Sequence, residues 1–122
     1  MTKKNTLVLG ASLKPERYSF QAIQRLRVAG HPVHAIGGVA GQIGDVVVHT
    51  QADESLDDID TVSMYLKAGR QHVYEAFLLA LRPKRVLFNP GTENPAFSKI
   101  LQEAGIATET ACTLVLLSTD QY

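Results

Sequence analysis

Short β-prone runs that alternate with amphipathic helical stretches predict a single α/β domain of about five parallel strands, with helices on both faces. Three observations carry that expectation. Apolar or β-branched runs recur at 6–10, 32–37, 61–66, 85–88 and 106–110. Between them, apolar residues recur at helical spacing, and a Gly or Pro closes each helical stretch. Strand–helix–strand units of this length join parallel strands through right-handed crossovers.

The 122 residues fit one domain, taken as residues 1–122. With 45% hydrophobic and 20% charged residues, the chain has enough apolar content to build a core. Its 12 basic residues balance its 12 acidic ones, so no global charge draws it to nucleic acid or to an anionic membrane. No apolar run approaches the roughly 20 residues that span a bilayer. The opening Met-Thr-Lys-Lys-Asn is followed by a short strand, not by a signal-peptide core. A lone cysteine, Cys112, excludes an internal disulfide and a Cys-based zinc site. The expectation is a cytoplasmic, soluble domain.

Residues 6–10 are apolar apart from Thr6, which suits a strand covered on both faces. After a charged turn (13–18), a helix is expected from Ser19 as N-cap. Phe20, Ala22, Ile23, Leu26 and Ala29 form its apolar stripe, with Gly30 and Pro32 ending it. A second strand spans 32–37. Gly41 and Gly44 bracket a turn, Val46–Val48 suits a short strand, and Ser55–Ile59 suits one capped helical turn. Strand three is 61–66. The next helix places Val73, Ala76, Phe77, Ala80 and Leu81 on one face and stops at Pro83. Strand four (85–88) breaks at Asn89-Pro-Gly-Thr92. A helix from Pro95 to Ala104 turns Phe97, Ile100, Leu101 and Ala104 inward, and strand five follows Gly105. For 113–118, strand and short helix both fit. The pattern as a whole is that of one Rossmann-like domain.

In parallel sheets ligands bind outside the carboxyl ends of the strands, near the point where strand order reverses. That rule nominates the loops after each strand, and these are rich in glycine and cations. The first holds Gly10, Ala11, Ser12, Lys14 and Arg17, leading to Ser19. Gly37 and Gly38 follow strand two; Lys67 and Arg70 follow strand three; Asn89, Gly91 and Thr92 follow strand four; Cys112 follows strand five. Small residues admit a ligand to the backbone, a helix N-terminus attracts phosphate, and arginine binds it through charge-assisted hydrogen bonds. A small nucleotide-type ligand is the expected partner.

The absences narrow the ligand. The dinucleotide pattern G-x-G-x-x-G would continue from Gly10, but Ser12 and Pro15 stand where its other glycines belong. Gly37-Gly38 replaces the acidic residue that a NAD ribose needs. The turn also lacks the G-x-x-x-x-G-K-[ST] of a P-loop. Asp53, Glu54, Asp57, Asp58 and Asp60 lack EF-hand spacing and read as a solvated face. His31, His34, His49 and His72 have no metal-ligand spacing, and nothing in the sequence supplies Cys112 with the base a nucleophile needs.

The opening strand-Gly10-Ala11-Ser12, followed by Pro15-x-Arg17-x-Ser19 at a helix start, resembles the CoA-binding protein family, relatives of the CoA-binding domain of succinyl-CoA synthetase α subunits. The turn at Gln42–Asp45, the Ser55-Leu-x-Asp-Ile59 segment, the cationic loop after strand three and the cysteine after strand five extend the resemblance over nearly the whole chain. It implies bound coenzyme A or acyl-CoA, with the diphosphate at Gly10, Ala11, Ser12, Arg17 and Ser19, assisted by Lys67 and Arg70. Two loops depart from the family pattern: Gly37-Gly38 stands where many relatives carry Asn-Pro, and Asn89-Pro-Gly-Thr92 where they often have a Gln- and Gly-containing turn. The synthetases also need a second domain bearing a phosphorylated histidine, so the expected role is binding without catalysis. The alternatives are an NAD(P)-dependent oxidoreductase-like domain, and a regulatory subunit that uses its surface for a partner protein.

Overall fold

The computed structural model describes residues 2–122, which form one seven-stranded sheet. The strands are β1 (Thr6–Ala11), β2 (Val33–Gly37), β3 (Gly41–Ile43), β4 (Val46–His49), β5 (Thr61–Met64), β6 (Arg85–Phe88) and β7 (Ala107–Thr110). Their order is β3-β4-β2-β1-β5-β6-β7. All pairings are parallel except β3 with β4, an antiparallel hairpin at one edge. Of the two strands beyond the main five, β4 covers the short strand expected at Val46–Val48, and β3 lies where a turn bracketed by Gly41 and Gly44 was expected. A three-residue strand (41–43) carries too little periodicity to be read from sequence, and Gly41 disguises it as a turn.

The helices are α1 (Tyr18–Val28), α2 (Ala68–Gln71), α3 (Glu75–Leu81), α4 (Pro95–Glu103) and α5 (Thr113–Ser118), with a 3-10 turn at His72–Tyr74. Alternation along β1 sorts the core into two layers. Leu7 and Leu9 join Val62, Met64, Val86, Phe88, Leu78, Phe97 and Leu101 on one face. Val8 and Ala11 join Ala35, Val48, Ile23 and Leu26 on the other. A fully buried Leu or Ile contributes about 1.5–3 kcal/mol, so these layers dominate the stability of the fold.

Several local expectations are corrected. Helix α1 begins at Tyr18 with Arg17 at the cap position, so Ser19 lies inside the first turn. Residues 55–59 form no helix; Asp53 Oδ1 accepts the Ser55 N–H at 2.9 Å in a surface turn. Strand β5 ends at Met64, before Leu66. The helix expected from Val73 starts two residues later, after the 3-10 turn. That turn rotates the helix, so Leu78 is its fully buried residue while Val73 is 67% exposed. The expected stripe is only half covered: Ala76, Phe77, Ala80 and Leu81 line an open groove beside Ala52 and Leu56. On α4, Phe97 and Leu101 are buried, whereas Ile100 is 41% exposed. Residues 113–118 are helical and pack against α1. The acidic residues 53–60 are spread along a loop, and no group of three metal-ligating side chains occurs among the described residues. None of the described helices is long and apolar enough to cross a membrane.

Candidate functional site

The chain leaves β1 toward β2 on one side and returns to β5 on the other. The reversal of strand order therefore falls at the carboxyl end of β1, where parallel sheets open a crevice. Gly10 occupies this point in a bulge, since Leu9 pairs with Ile36 and Ala11 with Gly37. Its φ is +95°, and a Cβ there would lie 2.9 Å from the backbone of both Tyr65 and Leu66. Glycine is thus required for the β5 loop to close against β1 as well as for the turn. Gly37 has a similar role: a Cβ there would collide with the Ala11 carbonyl oxygen. Gly38 meets no such neighbour.

Two cavities open at this edge and share Gly10 and Arg70. One, of about 450 Å³, is lined by Ser12, Lys14, Arg17, Ser19, Lys67, Gly91 and Thr92, together with Tyr18, Tyr65 and Pro90. The other, of about 380 Å³, is lined mainly by Ile36, Gly37, Gly38, Leu66, Val73 and Tyr74, with Thr50, Gly69 and His72. Each falls within the roughly 300–1,000 Å³ typical of ligand sites. The fold therefore brings together eleven of the fourteen nominated residues.

The remaining three, Ala11, Asn89 and Cys112, line neither cavity. Ala11 packs into the core beneath α1. Asn89 is buried, and its amide nitrogen donates to Ser63 Oγ at 3.1 Å and to the Met64 carbonyl at 2.9 Å. Its oxygen accepts the Thr113 N–H at 2.8 Å, so the side chain ties β5, β6 and α5 together. Cys112 is half-buried at the cap position of α5.

Serines shape the first turn. Ser12 N–H donates to Ser19 Oγ at 3.1 Å, and Lys14 N–H donates to Ser12 Oγ at 3.1 Å. Each hydroxyl accepts from backbone and keeps its own proton free to donate. Helix α1 has no side-chain cap and no acidic residue in its first turn, so its positive end is not neutralised from within. Lys14, Arg17, Lys67 and Arg70 are all exposed, and none makes an ion pair or a side-chain hydrogen bond with the described residues. Among the described residues no carboxylate lines either cavity, although Glu93 Oε1 accepts the neighbouring Gly91 N–H at 2.9 Å.

Several aromatic or apolar contributors, among them Tyr18, Tyr65 and Leu66, were not nominated from sequence. Tyr18 is 70% exposed at the mouth of the cationic cavity. Tyr65 lines the same cavity, but its hydroxyl is buried without a hydrogen-bond partner. Burial pushes its pKa up to about 12, opposed by the nearby Ser63 and Thr113 hydroxyls. Leu66 and its neighbours make the second cavity apolar. Tyr65 and Leu66 sit immediately past a strand end, a position the sheet-edge rule covers, yet neither glycine nor charge marks them there.

A doubly wound parallel sheet with a cationic cleft at its switch point defines a Rossmann-like domain. The chain belongs to a family described as CoA binding domain, whose model matches residues 4–118. It is similar over its full length to a protein of known crystal structure described as uncharacterized, at 36% identity, full coverage of both chains and a TM-score of 0.96. A hypothetical protein from Pyrococcus horikoshii aligns with 96% of this chain and 83% of its own at 23% identity and a TM-score of 0.86. A Thermus thermophilus protein aligns with 98% of this chain and 91% of its own at 21% identity and a TM-score of 0.85. These last two share the fold. No curated protein matches the chain.

Proposed function

We propose that this chain binds coenzyme A or an acyl-CoA across the two joined cavities, holding the ligand rather than transforming it. The observation that carries the reading is the convergence on the first turn of four cations, Lys14, Arg17, Lys67 and Arg70, that make no ion pair among the described residues. Keeping like charges together without a counter-ion disfavours the free protein, and a polyphosphate relieves that repulsion. The diphosphate sits at Ser12, Arg17 and Ser19 beside the N-terminus of α1, within reach of both serine hydroxyls. The apolar cavity at Gly37, Gly38 and Leu66 suits a flat uncharged base. A NAD ribose calls for a carboxylate, and among the described residues none lines either cavity.

A thermal-shift panel with CoA, acetyl-CoA, dephospho-CoA, ADP, NAD and NADP tests the reading. A ligand at 100 times its Kd adds about 2.7 kcal/mol of stability. CoA or its thioester raises the melting temperature and NAD does not. A shift with NAD alone refutes the proposal.

A further inference from the structure

The two loops that supply Lys67 and Arg70 on one side, and Gly91 and Thr92 on the other, leave adjacent parallel strands, β5 and β6. Strand pairing ends at Met64 and Phe88, so the ladder does not fix the separation of the loops beyond those residues. The first loop runs into α2, four residues long and without a side-chain cap at its start, and then into a single 3-10 turn. So short a helix has little stability of its own.

The Gln71 side chain reaches across this gap. Gln71 is fully buried, at 0% exposure, although it lies in a segment otherwise facing solvent. Its amide nitrogen donates to the Leu66 carbonyl at 2.9 Å and to the Thr92 carbonyl at 2.7 Å. Its oxygen accepts from Asn94 Nδ2 at 3.0 Å, while Asn94 Oδ1 accepts the Phe97 N–H at 3.1 Å and caps α4. Both amide protons of Gln71 are therefore committed, one to each loop. Thr92 is in turn fixed to Asn89, through its hydroxyl at 2.7 Å and its N–H at 3.0 Å.

We propose that Gln71 is the positioning residue of the ligand site: its amide sets the separation of the two loops and so preforms the cationic cavity. The assignment rests on the CoA-binding reading. Gln71 does not line the cavity, and it acts through Arg70, its chain neighbour, and through Thr92, whose carbonyl it holds. Without the clamp, ordering the loops would be charged against binding, and affinity would fall.

Isothermal titration of the full chain with CoA tests this. Gln71→Met keeps the volume and removes both donors; Asn94→Ser keeps a capping oxygen for α4 and removes the donor to Gln71. Val46→Ala, at a buried position of β4 on the opposite flank of the sheet, supplies a destabilised control. Gln71→Met is expected to weaken CoA binding about tenfold, and Asn94→Ser less, as for one or two charge-positioning hydrogen bonds lost. Val46→Ala should lower the melting temperature and leave affinity unchanged. Amide exchange in the free protein should accelerate over 66–71 and 89–94 together in Gln71→Met. Wild-type affinity in both Gln71→Met and Asn94→Ser overturns the assignment while leaving the CoA reading intact, as does an equal affinity loss in Val46→Ala. No CoA binding by the wild type overturns the reading itself, and this assignment with it. If Gln71→Met fails to fold, Asn94→Ser decides.

Discussion

Ser12 and Ser19 are joined across the first turn by a hydrogen bond from the Ser12 N–H to the Ser19 hydroxyl oxygen, 3.1 Å long. Ser19 is buried at 4% exposure, one residue inside α1, so it cannot act as the helix cap that its residue type suggests. It braces the turn from within the helix instead. Ser19→Ala should cost about 1 kcal/mol in urea unfolding, the typical net value of such a bond. It should also weaken CoA binding, because the Ser12 N–H is then free and the turn loses its fixed shape. Unchanged stability would mean that the bond contributes nothing in solution.

Arg17 stands at the cap position of α1 and is exposed. Arg17→Glu alters no buried contact, so the melting temperature of the free protein should stay within a few degrees of wild type. The CoA-induced shift should disappear, since a carboxylate at that point repels the diphosphate. Retained binding in Arg17→Glu would place the phosphates elsewhere.

Gly10 tests the close approach of β1 to the β5 loop. Gly10→Ala combines a φ of +95° with a Cβ 2.9 Å from two backbone atoms that cannot swing aside. The cost should be about 2 kcal/mol or more, read from denaturant midpoints. Gly38→Ala, with open space around its Cβ, provides the contrast and should cost far less.

His31 predicts the acid limb of stability. It is 1% exposed, its Nδ1 accepts the Lys4 N–H at 2.9 Å, and its Nε2 is buried without a partner. The Tyr122 ring meets it edge-on at 4.9 Å. Burial, with Lys3, Lys4 and Arg85 nearby, lowers its pKa below the usual 6.5, and Asp60 only partly opposes them. Because the unfolded chain takes up the proton first, this contribution is complete above about pH 6.5 and is lost as pH falls toward the folded value. His31→Gln should flatten the slope of melting temperature against pH between about 6.5 and 5. An unaltered slope would exclude His31 as its source.

Much of the fold was legible because strand and helix periods are local properties. Val8, Ile23 and Leu26 announce their faces within a few residues of chain, and all three are fully buried. The candidate loops were legible for the same reason, since a parallel sheet sends its strand ends to one edge. The register of α3 was not: the 3-10 turn at 72–74 interrupts the helical period, and Leu78 is the fully buried residue of the helix. At Asn89 the sequence shows a polar residue after a strand, but not the three hydrogen bonds that its side chain makes to β5 and α5.

The sequence by itself determined the α/β class with its mostly parallel sheet and the placement of four cations in loops that such a sheet sends to one edge. Those follow from composition and spacing along the chain. Only the tertiary structure decided that the edge is divided into a cationic and an apolar cavity meeting at Gly10 and Arg70. It alone revealed that Gln71 holds two of the loops together. A glutamine between Arg70 and His72 carries no local signal of burial. Its role exists only where the loops after β5 and β6 come within reach of one amide, and chain spacing does not encode that distance.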